Sequence, residues 1–528
     1  MVASMVGVVA LFPVAIPEAE MLSRACGLDK RVLIRVWRGY HPGRSEDLIF
    51  VPRAPNYIGT VNVNSHTGPW DYLQRVPLVL YGPKNIASRG VLNQPANLVD
   101  LYPTLGALLG VHLPVRDGSS LTEAVLAGAP VPKLVLVVVW DGAGRNVLDR
   151  WPGRWPNLER IESGGTSYAR ATVGSSPSIT PSSHASLGTG AWPRKHGITA
   201  IRVRAAGRVG GAFPGRDPSA LELSTFADEM DTALSNEPRV GLVAWQGWHL
   251  GMLGRGSGFP SGDKDTVAII GRRGRVVGNS AFFSTPGFLN DGPAGIERRA
   301  AGLDRSDGRT DGRWRDHPIL ESHANPAWVR YETGLVLELL QHDRYGVDEI
   351  PDLLFVNYKS TDVAGHEFTM DSKEMGAVLA AQDRGLGRIL AYLDRKVRNF
   401  VVVVTADHGH TPSPATSGAW PIAMNELIAD LNRDLGPGEG RSLVDDGHAV
   451  GLFLDRTQLR SARIDVHDVA GYLNGYTIAE NWPEAELPAD YAGRGDEEVF
   501  SAVFPGTALA AILRCRFGSS APPAVAEA

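Results

Sequence analysis

Cysteine is scarce in this chain. Among 528 residues there are two, Cys26 and Cys515, and they make neither a metal-ligand spacing nor a redox motif. No disulfide framework is expected from them, and the redox compartment stays undecided. Excess positive charge is missing too. A net charge of −6 with pI near 6.2 argues against a dedicated nucleic-acid binder, which would carry a basic patch. Long apolar runs are absent. The N-terminal "MVASMVGVVALFPVAIPEAE" comes nearest, but it has no basic stretch ahead of it, and Pro13 and Pro17 interrupt or follow it. It falls short of membrane-spanning length, and it reads as a buried strand followed by a helix. The expectation is a soluble, cytoplasmic protein without a membrane span, with export by another route as the alternative. There is no internal repeat.

What is present points to a large α/β enzyme. Hydrophobic residues make up 43% and charged residues 21%, ample for a large core. The 60 glycines and 36 prolines suggest many loops. Apolar, β-branched runs at 75–82 ("RVPLVLYG"), 133–140 ("KLVLVVVW"), 352–358 ("DLLFVNY") and 399–407 ("NFVVVVTAD") have the pattern of buried parallel strands. Helical patterns at 327–343 and 373–397 separate them. Such alternation predicts a doubly wound, mostly parallel sheet with helices on both faces. The Gly/Arg/Asp-rich stretch 254–318 reads as a surface insertion or lid, and 518–528 as a disordered tail.

Ligands of doubly wound sheets gather at the carboxyl ends of strands, so the polar residues there carry the most information. Asp141 follows the 133–140 run, and Asp407 and His408 follow 399–405. Asp362 and His366 come after 352–358, four residues apart and so able to aim at one point. Carboxylates with imidazoles and no thiolates suit zinc, with manganese the alternative, in a hydrolytic site. Thr180, just before Pro181, carries a helix-start signal. A hydroxyl there feels the positive helix end, and a metal on that oxygen would turn it into a nucleophile. Taken singly, each piece has a bland reading as a cap or a turn. Their joint order does not.

That order is Asp141, then "TPSSHASLGTGAWPRKHGI" at 180–198, then "DVAGH" at 362–366, then "DHG" at 407–409. It resembles the alkaline phosphatase superfamily, and most closely its type I phosphodiesterase/nucleotide pyrophosphatase branch. The resemblance implies two Zn2+ ions. Asp141, Thr180, Asp407 and His408 would hold one, and Asp362 and His366 the other. It also implies a phosphothreonine intermediate on Thr180. His184 would pack behind the nucleophile helix, and His196 would be structural.

The family pattern asks for one more histidine, normally after the "DHG", ahead of a strand and a "DxxPTL…LLG" helix. His410 and His448 lie downstream, but neither is followed by that strand and helix. "SHTGPWDYLQRVPLVLYGP" at 65–83, followed by "VDLYPTLGALLGVHLP" at 99–114, fits instead. His66 is therefore the expected last ligand, with His448 the alternative, and the chain reads as circularly permuted. Residues 1–130 would be the family's C-terminal part and 131–517 the catalytic core.

The substrate is less legible. It reads as a small-molecule phosphate ester. Arg202 and Gln246 are weak candidates for binding it, and Trp245 and Trp248 either line a leaving-group pocket or pack in the core. No clear Lys/Arg grip for a dianionic phosphate is visible. The expectation is therefore a phosphodiester or pyrophosphate hydrolase, with a phosphomonoesterase or a phosphonate hydrolase using the same site as the alternatives.

Overall fold

The structure, a computed structural model, describes residues 16–59, 63–289, 292–448, 450–484 and 486–518. The strand expected at the very N-terminus and all but the first residue of the expected disordered tail lie outside the described residues. The helix expected after that strand is present as Glu18–Gly27. Two compact units form. One draws on Arg31–Ser45 and Asn62–Ser417, the other on Met1–Lys30, Glu46–Val61 and Gly418–Ala528.

The larger unit is built on a nine-stranded sheet. In spatial order its strands are Val276–Val277, Thr266–Ile270, Val240–Ala244, Asp352–Tyr358, Leu134–Trp140, Phe400–Thr405, Leu78–Tyr81, Thr166–Thr172 and Gly90–Asn97. The middle of the sheet is parallel: Val240–Ala244, Asp352–Tyr358, Leu134–Trp140 and Phe400–Thr405 pair in one direction. Every residue of the last three is buried, which is why their sequences are continuous apolar runs rather than alternating ones. Long helices connect them. Lys373–Lys396 starts at Ser372, whose side chain accepts a hydrogen bond from Met375 N. Pro326–His342 starts at Asn325, with proline in its first turn.

Two expectations change here. The 75–82 strand joins the common sheet, but it runs antiparallel to both neighbours, Phe400–Thr405 and Thr166–Thr172. A one-dimensional apolar pattern carries no direction, so a buried antiparallel strand is indistinguishable from a parallel one. The 254–318 stretch is not all surface. Its "TVAII" segment, Thr266–Ile270, is a largely buried strand parallel to Val240–Ala244.

The smaller unit contains a four-stranded antiparallel sheet in the order Val444–His448, Gly451–Leu454, Leu48–Pro52, Phe500–Pro505. Its two cysteines correct the sequence reading. Cys26, at the end of helix Glu18–Gly27, and Cys515, in helix Leu509–Phe517, form a disulfide with Cα atoms 5.9 Å apart. Separation along the chain says nothing about distance in space, and here the two helices pack side by side. No helix among the described residues is long and apolar enough to cross a membrane.

Candidate active site

Three neighbouring parallel strands deliver the central residues. Asp141 follows Leu134–Trp140, Asp407 and His408 follow Phe400–Thr405, and helix Ser360–Phe368, carrying Asp362 and His366, begins just after Asp352–Tyr358. Carboxyl ends of adjacent parallel strands lie along one edge, so these groups converge. The antiparallel strand Leu78–Tyr81 contributes from its other end. Its Leu78 pairs with Thr405, so the loop preceding it, with His66, reaches the same edge.

Helix Thr180–Thr189 supplies the hydroxyl. All ten of its residues are buried, and Gly190 closes it in the left-handed conformation (φ +66°). Small residues make such burial feasible. A Cβ on Gly251 of the helix Leu250–Leu253 would lie 2.8 Å from Ala185 N, and one on Gly188 would strike the Gly251 carbonyl.

The imidazoles surround one carboxylate oxygen. Asp362 Oδ1 lies 3.5 Å from His66 Nε2, 3.3 Å from His366 Nε2, 3.7 Å from His408 Nε2 and 3.6 Å from His410 Nε2. His408 Nε2 also lies 3.6 Å from Asp141 Oδ1 and 3.4 Å from Asp407 Oδ2. The rings of His66 and His408 stack with centroids 3.5 Å apart.

The donor set fits divalent cations. Backbone carbonyls hold Nδ1 of three rings: Ser178 O at His66, Asn64 O at His366 and Gly409 O at His408. A carbonyl only accepts, so each Nδ1 carries the proton and each Nε2 presents a lone pair inwards, the arrangement metal-ligating histidines use. Asp407 Oδ1 accepts from Gly142 N at 2.9 Å. Its Oδ2, Asp362 Oδ1 and His408 Nε2 are buried without hydrogen-bond partners, a costly state unless a ligand meets them. His66, Asp362 and His408 form one group whose ligand atoms lie within 4.8 Å of one another, and Asp141, Asp407 and His408 form a second.

Protonation agrees with this at His66 and His408. Burial, then the neighbouring His408, pushes His66 well below the ordinary imidazole value, and burial also lowers His408. Both rings are neutral, the ligating form. His366 differs: burial opposes its charged form, but Asp362 outweighs that and raises it. Burial, reinforced by Asp407, raises Asp141. Asp362 is held well below the usual carboxyl range, because Lys359 and the histidines overcome its burial.

Lys359 is the member of the site that sequence reasoning misses. It is 7% exposed, and its ammonium donates to Asp362 Oδ2 at 2.8 Å, Asp141 Oδ1 at 2.9 Å and Thr180 Oγ1 at 3.0 Å. Burial disfavours its charge, yet Asp141, Asp362 and Asp407 more than compensate and raise its pKa. The available signal is its place directly after a buried strand, in "NYKSTD". His410 enters the sequence reading only as a substitute ligand. It is fully buried with both ring nitrogens unpartnered, and a Cβ on Gly142 would lie 2.6 Å from its Nε2.

The remaining candidates sit elsewhere or do other jobs. His448 belongs to the smaller unit, where its Nε2 pairs with Glu46 Oε1 at 2.9 Å. His184 Nδ1 donates to the Thr180 carbonyl at 2.7 Å, and its Nε2 faces Asn357 Nδ2 at 3.0 Å. That ring is satisfied and buttresses the helix that Thr180 opens. His196 is buried, bonded to Ser186 Oγ and Ile198 N. Arg202 opens a short two-stranded hairpin and Gln246 is exposed ahead of a tight turn, and the cluster described above is built without them. Trp245 is core, its Nε1 donating to the buried Glu332 at 2.7 Å, while Trp248 is half-buried against that core.

Comparison with known proteins gives the family. Residues 135–497 match the family of type I phosphodiesterases / nucleotide pyrophosphatases. Alkaline phosphatase PafA of Elizabethkingia meningoseptica is 22% identical over 416 residues, 67% of this chain and 74% of that protein. Alkaline phosphatase PhoD of Zymomonas mobilis is 35% identical over 89 residues, 17% of this chain and 16% of that protein. The crystal structure of wild-type alkaline phosphatase PafA superposes with a TM-score of 0.50 at 17% identity, covering 72% of this chain and 85% of that one. The fold is therefore shared with an alkaline phosphatase, and the chain is a phosphoester hydrolase of the alkaline phosphatase superfamily. Within that class it belongs to the type I phosphodiesterase / nucleotide pyrophosphatase family.

Proposed function

We propose that Thr180 is the nucleophile and that the substrate is a small phosphodiester or pyrophosphate, cleaved through a phosphothreonine. The observation that carries the nucleophile assignment is the contact of Lys359 Nζ with Thr180 Oγ1 at 3.0 Å, while the family match supports the diester or pyrophosphate. Thr180 is the first residue of its helix, so the positive helix end and an ammonium both favour its alkoxide. Attack forms the Oγ–P bond and breaks the P–O bond to the leaving group. Water then breaks the Oγ–P bond and restores the hydroxyl. Asn357 Nδ2, donating to Asp141 Oδ2 at 3.1 Å, and His184 on the Thr180 carbonyl hold the nucleophile side in place.

Asp141, Thr180, Asp407 and His408 would hold one ion, and Asp362, His366 and His66 the other. Both are zinc in this reading, with manganese the alternative. Held there, two such ions would supply charge stabilisation to the attacking and leaving oxygens of an in-line displacement. Circular permutation is part of the same reading, with 1–130 as the family's displaced C-terminal part and 131–517 as the core. In its favour, the family match begins at residue 135, while His66 lies ahead of it and still approaches Asp362. The Cys26–Cys515 disulfide weighs against a cytoplasmic location and favours an oxidising compartment.

A second reading, a phosphomonoesterase, is favoured by Lys359 itself, because added positive charge beside the nucleophile suits a dianion. The test compares zinc-loaded protein on bis-p-nitrophenyl phosphate and p-nitrophenyl phosphate. A higher kcat/KM on the diester is expected. A monoester preference replaces the first reading with the second, and no turnover of either ester overturns both.

A further inference from the structure

A second group of carboxylates lies at the opposite edge of the nine-stranded sheet. Asp265 directly precedes the parallel strand Thr266–Ile270, whereas Asp141, Asp407 and His408 follow theirs. Asp231, in the last turn of helix Phe226–Ala233, and Asp263 join it, and one oxygen of each lies within 4.8 Å of the other two. Asp231 is 2% exposed and Asp265 4%. Among the described residues no lysine or arginine pairs with any of the three. The cations nearby are engaged elsewhere: Lys264 Nζ donates to Ser280 O at 2.6 Å, and Arg239 pairs with Asp348 at 2.8 Å.

Asp231 Oδ1 is itself buried without a hydrogen-bond partner, at the end of a helix where the macrodipole disfavours a negative charge. The neighbouring Asp228 is satisfied by contrast, accepting from Thr225 N and Arg255 N at 2.8 Å. Burying clustered carboxylates with no counter-charge is costly. The same two loops carry a neutral oxygen as well. Asn236 Nδ2 donates to Ser261 O at 2.8 Å, and its Oδ1 is buried without a partner. A cavity of about 260 Å3 opens beside Asp263 and Asp265.

We propose that Asp231, Asp263 and Asp265 hold a structural calcium ion that pins the loop after helix Phe226–Ala233 to the loop before strand Thr266–Ile270. An all-oxygen, carboxylate-rich set suits a hard dication, and donors spread irregularly over two loops suit Ca2+ better than Mg2+, which demands near-ideal octahedral geometry. The absence of imidazole from this set separates it in kind from the cluster at the other edge. Protons and calcium compete for these oxygens, so the acid-favoured stability of Asp231 and Asp265 belongs to protein without calcium.

The experiment titrates the zinc-loaded full chain, in calcium-free buffer, with CaCl2 in a calorimeter and then measures Tm at saturating calcium. Wild-type protein is expected to bind one calcium ion per chain and to gain about 2 °C or more in Tm. Asp263→Asn, a change at an exposed side chain, is expected to bind calcium at least about tenfold more weakly and to hydrolyse nitrophenyl esters like the wild type. No saturable calcium binding to the wild type, equal affinity in Asp263→Asn, or a Tm unmoved by saturating calcium overturns the proposal. Magnesium binding as tight as calcium binding overturns the choice of ion.

Discussion

His66 Nε2 lies 3.5 Å from Asp362 Oδ1, although the two residues come from opposite ends of the larger unit's sequence. The direction of a single strand accounts for this. Leu78–Tyr81 runs antiparallel to Phe400–Thr405, so the chain entering the first strand lies beside the chain leaving the second. A parallel strand would have carried His66 to the far edge of the sheet. Replacing His66 with alanine is expected to reduce zinc retained after dialysis and to lower kcat/KM by more than about 100-fold. His448→Ala, in the smaller unit, is expected to change neither. Elemental analysis and steady-state kinetics on both variants check the assignment.

Thr180→Ala removes the oxygen that Lys359 contacts and leaves the helix with its proline and its buried faces. The expected result is a fall in kcat on the order of 10³-fold or more, with little change in Tm. Thr180→Ser, which keeps a hydroxyl, is expected to retain measurable turnover. Equal residual activity in the two variants would remove the hydroxyl from the chemistry.

The disulfide between Cys26 and Cys515 ties two helices near opposite ends of the chain. A cross-link of this kind contributes about 2–4 kcal/mol, mainly by restricting the unfolded chain. Reduction, or Cys26→Ser, is expected to lower the Tm of the transition that unfolds the smaller unit, while hydrolysis at moderate temperature persists. Calorimetry with and without reductant measures the shift.

Asp231 and Asp265 give a pH dependence with a definite sign. Both are buried. Burial first, and then neighbouring carboxylates, raise both carboxyl groups: Asp263 and Asp228 act on Asp231, and Asp231, Asp228 and Asp263 act on Asp265. A folded-state value above the ordinary 3.8 means that the folded chain binds the proton more tightly than the unfolded chain does. Stability from this pair is complete below that ordinary value and declines as pH rises through the raised values. Asp231→Asn is expected to flatten the fall of Tm between acid and neutral pH and to raise Tm at neutral pH. A parallel pH profile for the variant and wild-type protein contradicts this.

Asp141, Asp362, His366, Asp407 and His408, all legible in the sequence, share one property: each comes after a strand whose burial on both faces leaves a continuous apolar run, whereas Thr180 and His66 are legible through the spacing of their motifs. "LVLVVVW" and "FVVVVT" announce their own ends, and Asp141, Asp407 and His408 are read from there. Lys359 comes after an equally clear strand, but lysine is a surface residue almost everywhere. Only the convergence of Asp141, Asp362 and Asp407 from separate stretches of chain keeps it buried and charged. "TVAII" at 266–270 is masked by its surroundings, a short apolar run within a Gly/Arg-rich segment. Strand direction and the Cys26–Cys515 pairing are properties of the folded chain alone, and neither leaves a local trace.

The most direct test of the account is chemical trapping of Thr180. Zinc-loaded protein is mixed with p-nitrophenyl phosphate or, in a parallel sample, an aryl diester, quenched in acid within the first turnovers, digested, and analysed by mass spectrometry. The account predicts a phosphorylated form of the peptide containing Thr180, absent from Thr180→Ala. With the diester, the adduct still carries its remaining ester group. Rapid turnover with no adduct on that peptide, or an adduct on another residue, contradicts it.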